Sequence, residues 1–115
     1  MLTRLFPLLL LLASPAVAAD LATADQIRAA ISGNTVQGGM LATGAYTEFY
    51  APDGTIKARD YSGSWSLDGD KMCFAYGEDP ATCWRVRLAG KTVTWVGDRG
   101  DEGTGTIEAG NPHGF

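Results

Sequence analysis

Histidine is almost absent from this chain, and its scarcity argues against the commonest catalytic arrangements. The single histidine lies in a C-terminal segment rich in Pro and Gly, Asn111-Pro112-His113-Gly114-Phe115. A Ser-His-Asp system needs a histidine held within hydrogen-bonding distance of its partners, whereas chain termini tend to fray. We therefore expect His113 to be a solvated tail residue, and we predict no catalytic residues of this kind.

Metal and redox motifs are missing as well. One histidine and two cysteines do not make a zinc ligand set, and the cysteines lack the C-x-x-C spacing of redox-active pairs. The acidic stretch with Asp98, Asp101 and Glu102 lacks the length and ligand order of an EF-hand calcium loop, and so do Asp68 and Asp70. We interpret both stretches as solvated turns and predict neither a bound metal nor a cofactor.

Basic residues are in the minority, with nine Lys and Arg against 13 Asp and Glu and a formal net charge of −4. An acidic chain is repelled by nucleic-acid phosphates and by anionic membrane surfaces. We therefore expect no nucleic-acid partner.

No apolar run is long enough for a transmembrane helix. Such a helix needs roughly 20 apolar residues, and the run from Leu5 to Ala19 has about 15, interrupted by two prolines. Residues 1–19 have instead the layout of a secretory signal peptide, with Arg4 as the charged region and Ala16-Val17-Ala18 as an A-x-A cleavage site. We expect cleavage after Ala18 or Ala19.

The expected product is a periplasmic or secreted protein without a membrane anchor. No cysteine for lipid attachment lies near the cleavage site, and no Arg-Arg pair marks the twin-arginine route. Loss of Arg4 leaves eight basic residues against 13 acidic ones, a net charge of −5. Residues 20–115 are long enough for one domain, and we predict a single β-rich domain with a flexible C-terminal tail.

Cys73 and Cys83 are predicted to form a disulfide. In an oxidising compartment, an even pair at short spacing most often forms a structural bridge. Residues 71–76 and 82–88 have the pattern of a β-hairpin, which sets the two cysteines opposite each other within bridging range.

The pattern of the remaining chain predicts a mainly β fold. A short helix comes first, because Thr23-Ala24-Asp25-Gln26 fits a capping box and apolar residues follow on one face. Strands punctuated by glycine then follow at 35–43, 45–51, 55–62, 64–67, 71–76, 82–88, 91–96 and 104–109. We predict an antiparallel meander of seven or eight short strands, curled into a barrel or half-barrel that hides its edges, with the helix over one open end.

Two glycine-rich segments are predicted as irregular. Gly38-Gly39 is interpreted as a bulge, and residues 97–105 as a loop. That loop is either an insertion-tolerant surface segment or a binding element, since recognition often lies on loops held by a rigid sheet.

One constellation has the chemistry of a ligand site. Alternation places Tyr46, Glu48 and Tyr50 on one face of a strand, and the Pro52-Asp53-Gly54 turn brings Asp60 opposite Tyr46. Two tyrosines around a carboxylate can line a pocket for a sugar or a cationic group. The plainer interpretation is an exposed or edge-strand face whose tyrosines cover the sheet.

Three segments in a fixed order, followed by the two cysteines, carry a family resemblance. They are Ser32-Gly33-Asn34-Thr35-Val36, Tyr46-Thr47-Glu48-Phe49-Tyr50-Ala51-Pro52-Asp53-Gly54-Thr55 and Gly63-Ser64-Trp65. In these segments the chain resembles an uncharacterised family of small exported proteins of Gram-negative bacteria. The resemblance implies a periplasmic or secreted β-rich domain with a disulfide, and it assigns no catalytic residues.

Gly63-Ser64-Trp65 is also similar to the G-x-W signature of lipocalins and of small barrel-shaped protease inhibitors. In those families the triplet lies on the first strand, whereas two or three predicted strands precede it here. The similarity implies a structural role, in which glycine permits close approach and tryptophan plugs a barrel end.

These observations favour a non-enzymatic, exported binding or interaction module of the cell envelope. An inhibitor-like role is one form of this hypothesis. Its small size, its aromatic content and the lack of a catalytic set support this hypothesis. The alternative is a barrel that binds a small molecule or a glycan through Tyr46, Glu48 and Tyr50. A hydrolase that uses Glu48 and Asp60 as its two carboxylates ranks below both.

Overall fold

A computed structural model describes residues 20–115 and shows a closed barrel of eight antiparallel strands with one short helix. The predicted signal peptide, residues 1–19, lies outside the described residues. The elements in chain order are α1 (Ala24–Ile31), β1 (Asn34–Met40), β2 (Gly44–Tyr50), β3 (Thr55–Lys57), β4 (Ser62–Asp68), β5 (Lys71–Ala75), β6 (Thr82–Ala89), β7 (Thr92–Gly97) and β8 (Gly100–Glu108). Each strand pairs with the next, and β8 pairs with β1. The predicted meander with one N-terminal helix is confirmed, and the barrel is fully closed.

The helix begins at the predicted capping box. Thr23 Oγ1 accepts a hydrogen bond from the Gln26 N–H at 3.2 Å, and Gln26 Oε1 accepts one from the Thr23 N–H at 2.9 Å. These two bonds satisfy backbone donors that have no partner inside the first helical turn. Within residues 20–115, no helix is long and apolar enough to cross a membrane.

α1 closes one end of the barrel. The Ala24 N–H donates to Asp70 Oδ1 at 2.8 Å, which ties the start of the helix to the β4–β5 turn. Ile27 and Ile31 are fully buried. They pack with fully buried residues that the strands direct inward, namely Val36, Ile56, Met72, Val86 and Val93. Burial of each such side chain contributes roughly 1.5–3 kcal/mol, so this end of the barrel holds the stabilising core.

Cys73 and Cys83 form the predicted disulfide, with an Sγ–Sγ distance of 2.03 Å and a Cα–Cα distance of 4.0 Å. The two residues are direct partners in the β5–β6 hairpin, and the same register pairs Met72 with Trp84. Because Met72 and Trp84 face the barrel interior, strand alternation places the disulfide on the outer face of the barrel wall, where Cys73 is nevertheless buried.

One predicted strand is in fact two. The sequence predicts a single strand over 55–62, but β3 ends at Lys57 and β4 begins at Ser62. The chain reverses between them, where the Ala58 N–H donates to the Tyr61 carbonyl oxygen at 3.1 Å. This turn contains no Gly or Pro, the residues that usually mark a reversal in a sequence.

The acidic segment 97–105 is part of a hairpin, and its prediction as a loop is wrong. Gly97 at the end of β7 pairs with Gly100 at the start of β8 across the two-residue turn Asp98-Arg99. Gly100 has a φ of +120°, a conformation that residues with a Cβ rarely adopt. The glycines of this segment therefore serve a tight turn and a strand.

The C-terminal residues, predicted as a flexible tail, make specific contacts. The Gly110 N–H donates to Asn34 Oδ1 at 3.0 Å, next to the start of β1. His113 Nε2 lies 3.1 Å from Glu108 Oε2, and the His113 ring stacks on Phe115 with ring centroids 5.5 Å apart. His113 therefore has structural partners near the end of β8.

Replacing both cysteines, as Cys73→Ala/Cys83→Ala, should lower the free energy of unfolding by about 2–3 kcal/mol, because the closed loop restricts the unfolded chain. Urea denaturation of the oxidised wild type and of the double variant measures the difference. Wild type in reducing buffer is the control and should resemble the variant. Equal urea midpoints for all three samples would contradict a stabilising bridge.

Candidate functional site

A cavity of about 690 Å³ occupies the half of the barrel opposite α1. Its volume lies in the range of roughly 300–1,000 Å³ that is typical of small-molecule sites. The lining is mainly aromatic and apolar, with two carboxylates and, among the described residues, no Lys, Arg or His. The residues are Met40, Ala42, Thr43, Ala45, Tyr46, Glu48, Tyr50, Tyr61, Ser62, Phe74, Tyr76, Gly77, Thr82, Trp84, Trp95 and Glu102.

All four tyrosines of the chain line this cavity. Tyr46 and Tyr50 belong to β2, Tyr61 immediately precedes β4, and Tyr76 immediately follows β5. Strand alternation places Tyr46, Glu48 and Tyr50 together on the inner face of β2. This face therefore points into the barrel, and the plainer interpretation of an exposed sheet surface does not describe it.

Glu48 is the buried polar centre of the cavity, with 5% of the residue exposed. The Tyr50 hydroxyl donates to Oε1 at 2.8 Å, and the Tyr76 hydroxyl lies 3.0 Å from Oε1 and 2.8 Å from Oε2. Neither ion pair found within residues 20–115 involves Glu48. Burying a carboxylate costs on the order of several kcal/mol. Tyrosine hydroxyls offset part of that cost for Glu48, and no positively charged side chain of residues 20–115 forms an ion pair with it.

Tyr46 reaches across the inner surface of the barrel from β2 to β7. Its hydroxyl accepts a hydrogen bond from Trp95 Nε1 at 2.8 Å and donates one to the Thr104 carbonyl oxygen at 3.0 Å. The side chain passes Gly38 of β1 and Gly105 of β8, which are partners across the strand pair. A Cβ on Gly105 would lie 2.5 Å from the Tyr46 hydroxyl oxygen. The bulge predicted at Gly38-Gly39 does not form, because β1 keeps a regular register with both β2 and β8.

The floor of the cavity is a packed aromatic cluster. The Phe74 ring lies edge-on to Tyr50 and to Trp95, with centroid distances of 6.0 Å and 5.1 Å. Tyr50 and Trp95 are almost fully buried. Edge-to-face contacts favour fixed ring orientations, so the floor has a defined shape.

The rim of the cavity is more exposed. Tyr61 is 46% exposed, and its ring lies edge-on to Tyr76 with centroids 5.8 Å apart. Gly63 makes room for this pair, since a Cβ there would lie 2.7 Å from Tyr76 Cδ1. Glu102 and Trp84 both lie close to Gly97 of β7, and both are half-buried. The rim thus adds a second carboxylate at a shallower depth than Glu48.

Asp60 lies apart from this site. It is exposed in the turn between β3 and β4, and it is not among the residues that line the cavity. Because β3 ends at Lys57, its pairing with β2 does not extend far enough to set Asp60 opposite Tyr46. The Glu48–Asp60 pair that a shared acid–base role requires is not formed.

Tyr76, Trp84 and Trp95 complete the site, although the sequence indicates only that they face inward. In a closed barrel, inward residues near the same end share one space. Tyr76 and Trp84 flank the β5–β6 turn, and Trp95 precedes the β7–β8 turn. Both turns lie at the same end as the β1–β2 turn that precedes Tyr46, so strand order combined with alternation is the signal that identifies these residues.

Burial raises the pKa of every tyrosine in the cavity. The pKa of Tyr46 rises to about 12, chiefly through burial, with the Trp95 hydrogen bond opposing and the Glu48 charge adding to the rise. Burial first, and Glu48 second, also raise the pKa values of Tyr50, Tyr61 and Tyr76. The cavity therefore keeps its phenols protonated, as hydrogen-bond donors.

Comparison with known proteins leaves the site unassigned, because no protein-family model, curated protein or solved structure matches the chain. Fold alone does not fix function, and the cavity is the feature of the described residues that bears on it.

In the folded protein, all four tyrosines should resist alkaline titration. Unfolded phenols ionise near pH 10 or so, whereas the folded ones keep their protons to higher pH. Above about pH 10 the unfolded chain binds fewer protons than the folded one. The contribution of the tyrosines to the free energy of unfolding is therefore fully present below that pH and is lost as the pH rises. Tyrosinate absorbance against pH, with and without urea, measures the effect. Native tyrosines that titrate like the unfolded ones would contradict the buried cluster.

Proposed function

We propose that this protein is an exported small-molecule-binding barrel whose ligand occupies the aromatic cavity around Glu48. The observation that carries the proposal is the contrast between the two halves of the barrel, one filled by the core beside α1 and the other open as a cavity of about 690 Å³. Small-molecule sites are concave, mainly apolar and largely preformed, with a few convergent polar groups. This cavity matches that description.

The cavity walls are held in place without a ligand. Tyr46 is fixed by hydrogen bonds to Trp95 and to the Thr104 carbonyl. Phe74 is fixed by its edge-to-face contacts with Tyr50 and Trp95. Side chains that are already ordered lose little conformational freedom on binding, which favours affinity for a ligand of matching shape.

The disulfide supports the exported part of the proposal. Structural disulfides persist in oxidising compartments and are rare in the cytosol. Together with the predicted signal peptide at residues 1–19, the Cys73–Cys83 bridge favours the periplasm or the extracellular medium as the site of action.

The other functions expected from the sequence receive less support. A protein-interaction or inhibitor-like role stays a prediction. The large apolar side chains exposed in the described part of the chain are Leu21, Leu41 and Tyr61, and single exposed apolar residues are ordinary on soluble surfaces. The hydrolase expected from the sequence needs Asp60 beside Glu48, and Asp60 is exposed and lies outside the cavity lining. A glycan is the alternative ligand within the same cavity.

The neutral fluorophore N-phenyl-1-naphthylamine should bind the wild-type protein in this cavity. Ala42 lines the cavity in the β1–β2 turn and is exposed, so Ala42→Trp should obstruct the mouth. We expect the affinity to fall by about tenfold or more, which corresponds to roughly 1.4 kcal/mol of lost contact. Calorimetry measures the binding, so that the added tryptophan does not interfere.

Leu41→Trp is the matched control, because Leu41 is the preceding residue of the same turn, is 81% exposed and lies outside the cavity lining. It should bind the fluorophore like the wild type. The same affinity in both variants would place the binding elsewhere, and no binding to the wild type would count against an accessible apolar cavity.

A further inference from the structure

We infer that the ligand of this cavity is an organic cation, a protonated amine on an apolar body, whose ammonium group binds Glu48. The inference rests on the proposed ligand-binding function and adds the chemical class of the ligand. It depends on three properties of the cavity: its charge, the hydrogen-bonding capacity of Glu48 and the aromatic character of the walls.

The charge of the cavity is one-sided. Glu48 and Glu102 line it, and no Lys, Arg or His of the described residues does. Coulombic attraction is stronger in surroundings poor in water, so a cation beside the buried Glu48 gains more than it would at the protein surface. A cationic ligand supplies the counter-charge that the described chain does not, whereas an anionic ligand would meet two like charges.

Glu48 also has unused hydrogen-bonding capacity. An ionised carboxylate has about four lone-pair sites. The Tyr50 and Tyr76 hydroxyls offer one proton each, and the Tyr76 hydroxyl oxygen lies within hydrogen-bonding distance of both carboxylate oxygens. The Tyr61 hydroxyl also interacts with Glu48, so at least one acceptor site stays open for an N–H donor, and an ammonium group carries three such donors.

The aromatic walls suit the same ligand. Aromatic faces attract cations and also cover apolar groups, and Phe74 and Trp84 supply such surface in the same cavity lining as Glu48. A glycan would need several free polar partners. The hydroxyls of Tyr46, Tyr50 and Tyr76 are already engaged in hydrogen bonds within the protein. The other hydroxyls of the lining, on Thr43, Tyr61, Ser62 and Thr82, belong to exposed residues, which favours an amine at the buried Glu48 over a sugar.

Three probes with the same aromatic body test the inference: 1-naphthylmethylammonium, 1-naphthylmethanol and 1-naphthoate, titrated calorimetrically into the oxidised mature protein at neutral pH. We expect the cation to bind at least about tenfold more tightly than the alcohol, the range of a hydrogen bond to a charged group. The anion should bind most weakly. This comparison uses the wild type and does not depend on the folding of any variant.

Variants then assign the charge to one residue. Glu48→Gln should reduce the affinity for the cation to that for the alcohol, with near-ultraviolet circular dichroism as the check of folding. Glu78→Gln is the matched control, because Glu78 is exposed in the β5–β6 turn at the same end of the barrel and lies outside the cavity lining. It removes the same charge and should keep the preference for the cation.

The outcomes separate the inference from the proposed function. Equal affinity of the wild type for the cation and the alcohol would overturn the inference and leave the ligand-binding function standing. A preference that survives Glu48→Gln, or that is lost as completely in Glu102→Gln, would overturn the assignment to Glu48. If neither these probes nor N-phenyl-1-naphthylamine bind, both the inference and the proposed function fail.

Discussion

The pairing of β8 with β1 closes the barrel, and the position of every interior side chain depends on that seam. Residues 35–40 of β1 pair with residues 103–108 of β8, so the sheet has no free edge. An eight-stranded barrel has an interior just wide enough for side chains or for one small ligand. The size of each inward residue therefore decides whether the space is filled. At the seam, Gly38 and Gly105 contribute no side chain, and Tyr46 uses the space to reach Trp95.

The residues along each strand change character from the α1 end to the open end. On β5, Met72 is fully buried in the core, Phe74 forms the cavity floor, and Tyr76, just after the strand, directs its hydroxyl to Glu48. On β2 the order is reversed because the strand runs in the opposite direction: Tyr46 comes first and Tyr50, almost fully buried, comes last. The filled core and the open cavity thus occupy opposite halves of one barrel.

Local signals in the sequence predict much of this fold. The capping box, the strand alternation and the facing cysteines each depend on residues close together in the chain, and each predicts its element correctly. The turn at 58–61 and the strand content of 100–103 are not predicted. The first lacks Gly and Pro, and the second has the composition of a loop but is held as a strand by β1 and β7. Its tertiary pairing overrides its weak intrinsic preference for a strand.

The candidate site is predictable to the same degree and for the same reason. Alternation alone groups Tyr46, Glu48 and Tyr50, because they belong to one strand. The contact of Tyr76 with Glu48 spans 28 residues of sequence and exists only once the barrel has closed. Asp60 is expected opposite Tyr46 on the assumption that the strand from Thr55 continues to residue 62. Because β3 ends at Lys57, that pairing does not form. Contacts between strands need the closed topology, which no local pattern contains.

Glu48 is hard to explain as a stabilising residue. Replacing buried charged groups with well-packed apolar side chains of similar volume is often neutral or stabilising, and an apolar residue here would extend the core towards the mouth. Two tyrosine hydroxyls compensate the carboxylate only in part, because they neutralise no charge. A cation bound at Glu48 would offset the remaining cost of burial, and a ligand that binds only the folded state also stabilises that state. On the proposed function, the barrel without its ligand is electrostatically incomplete, and the buried charge that is costly to the fold would be the group that selects a cation.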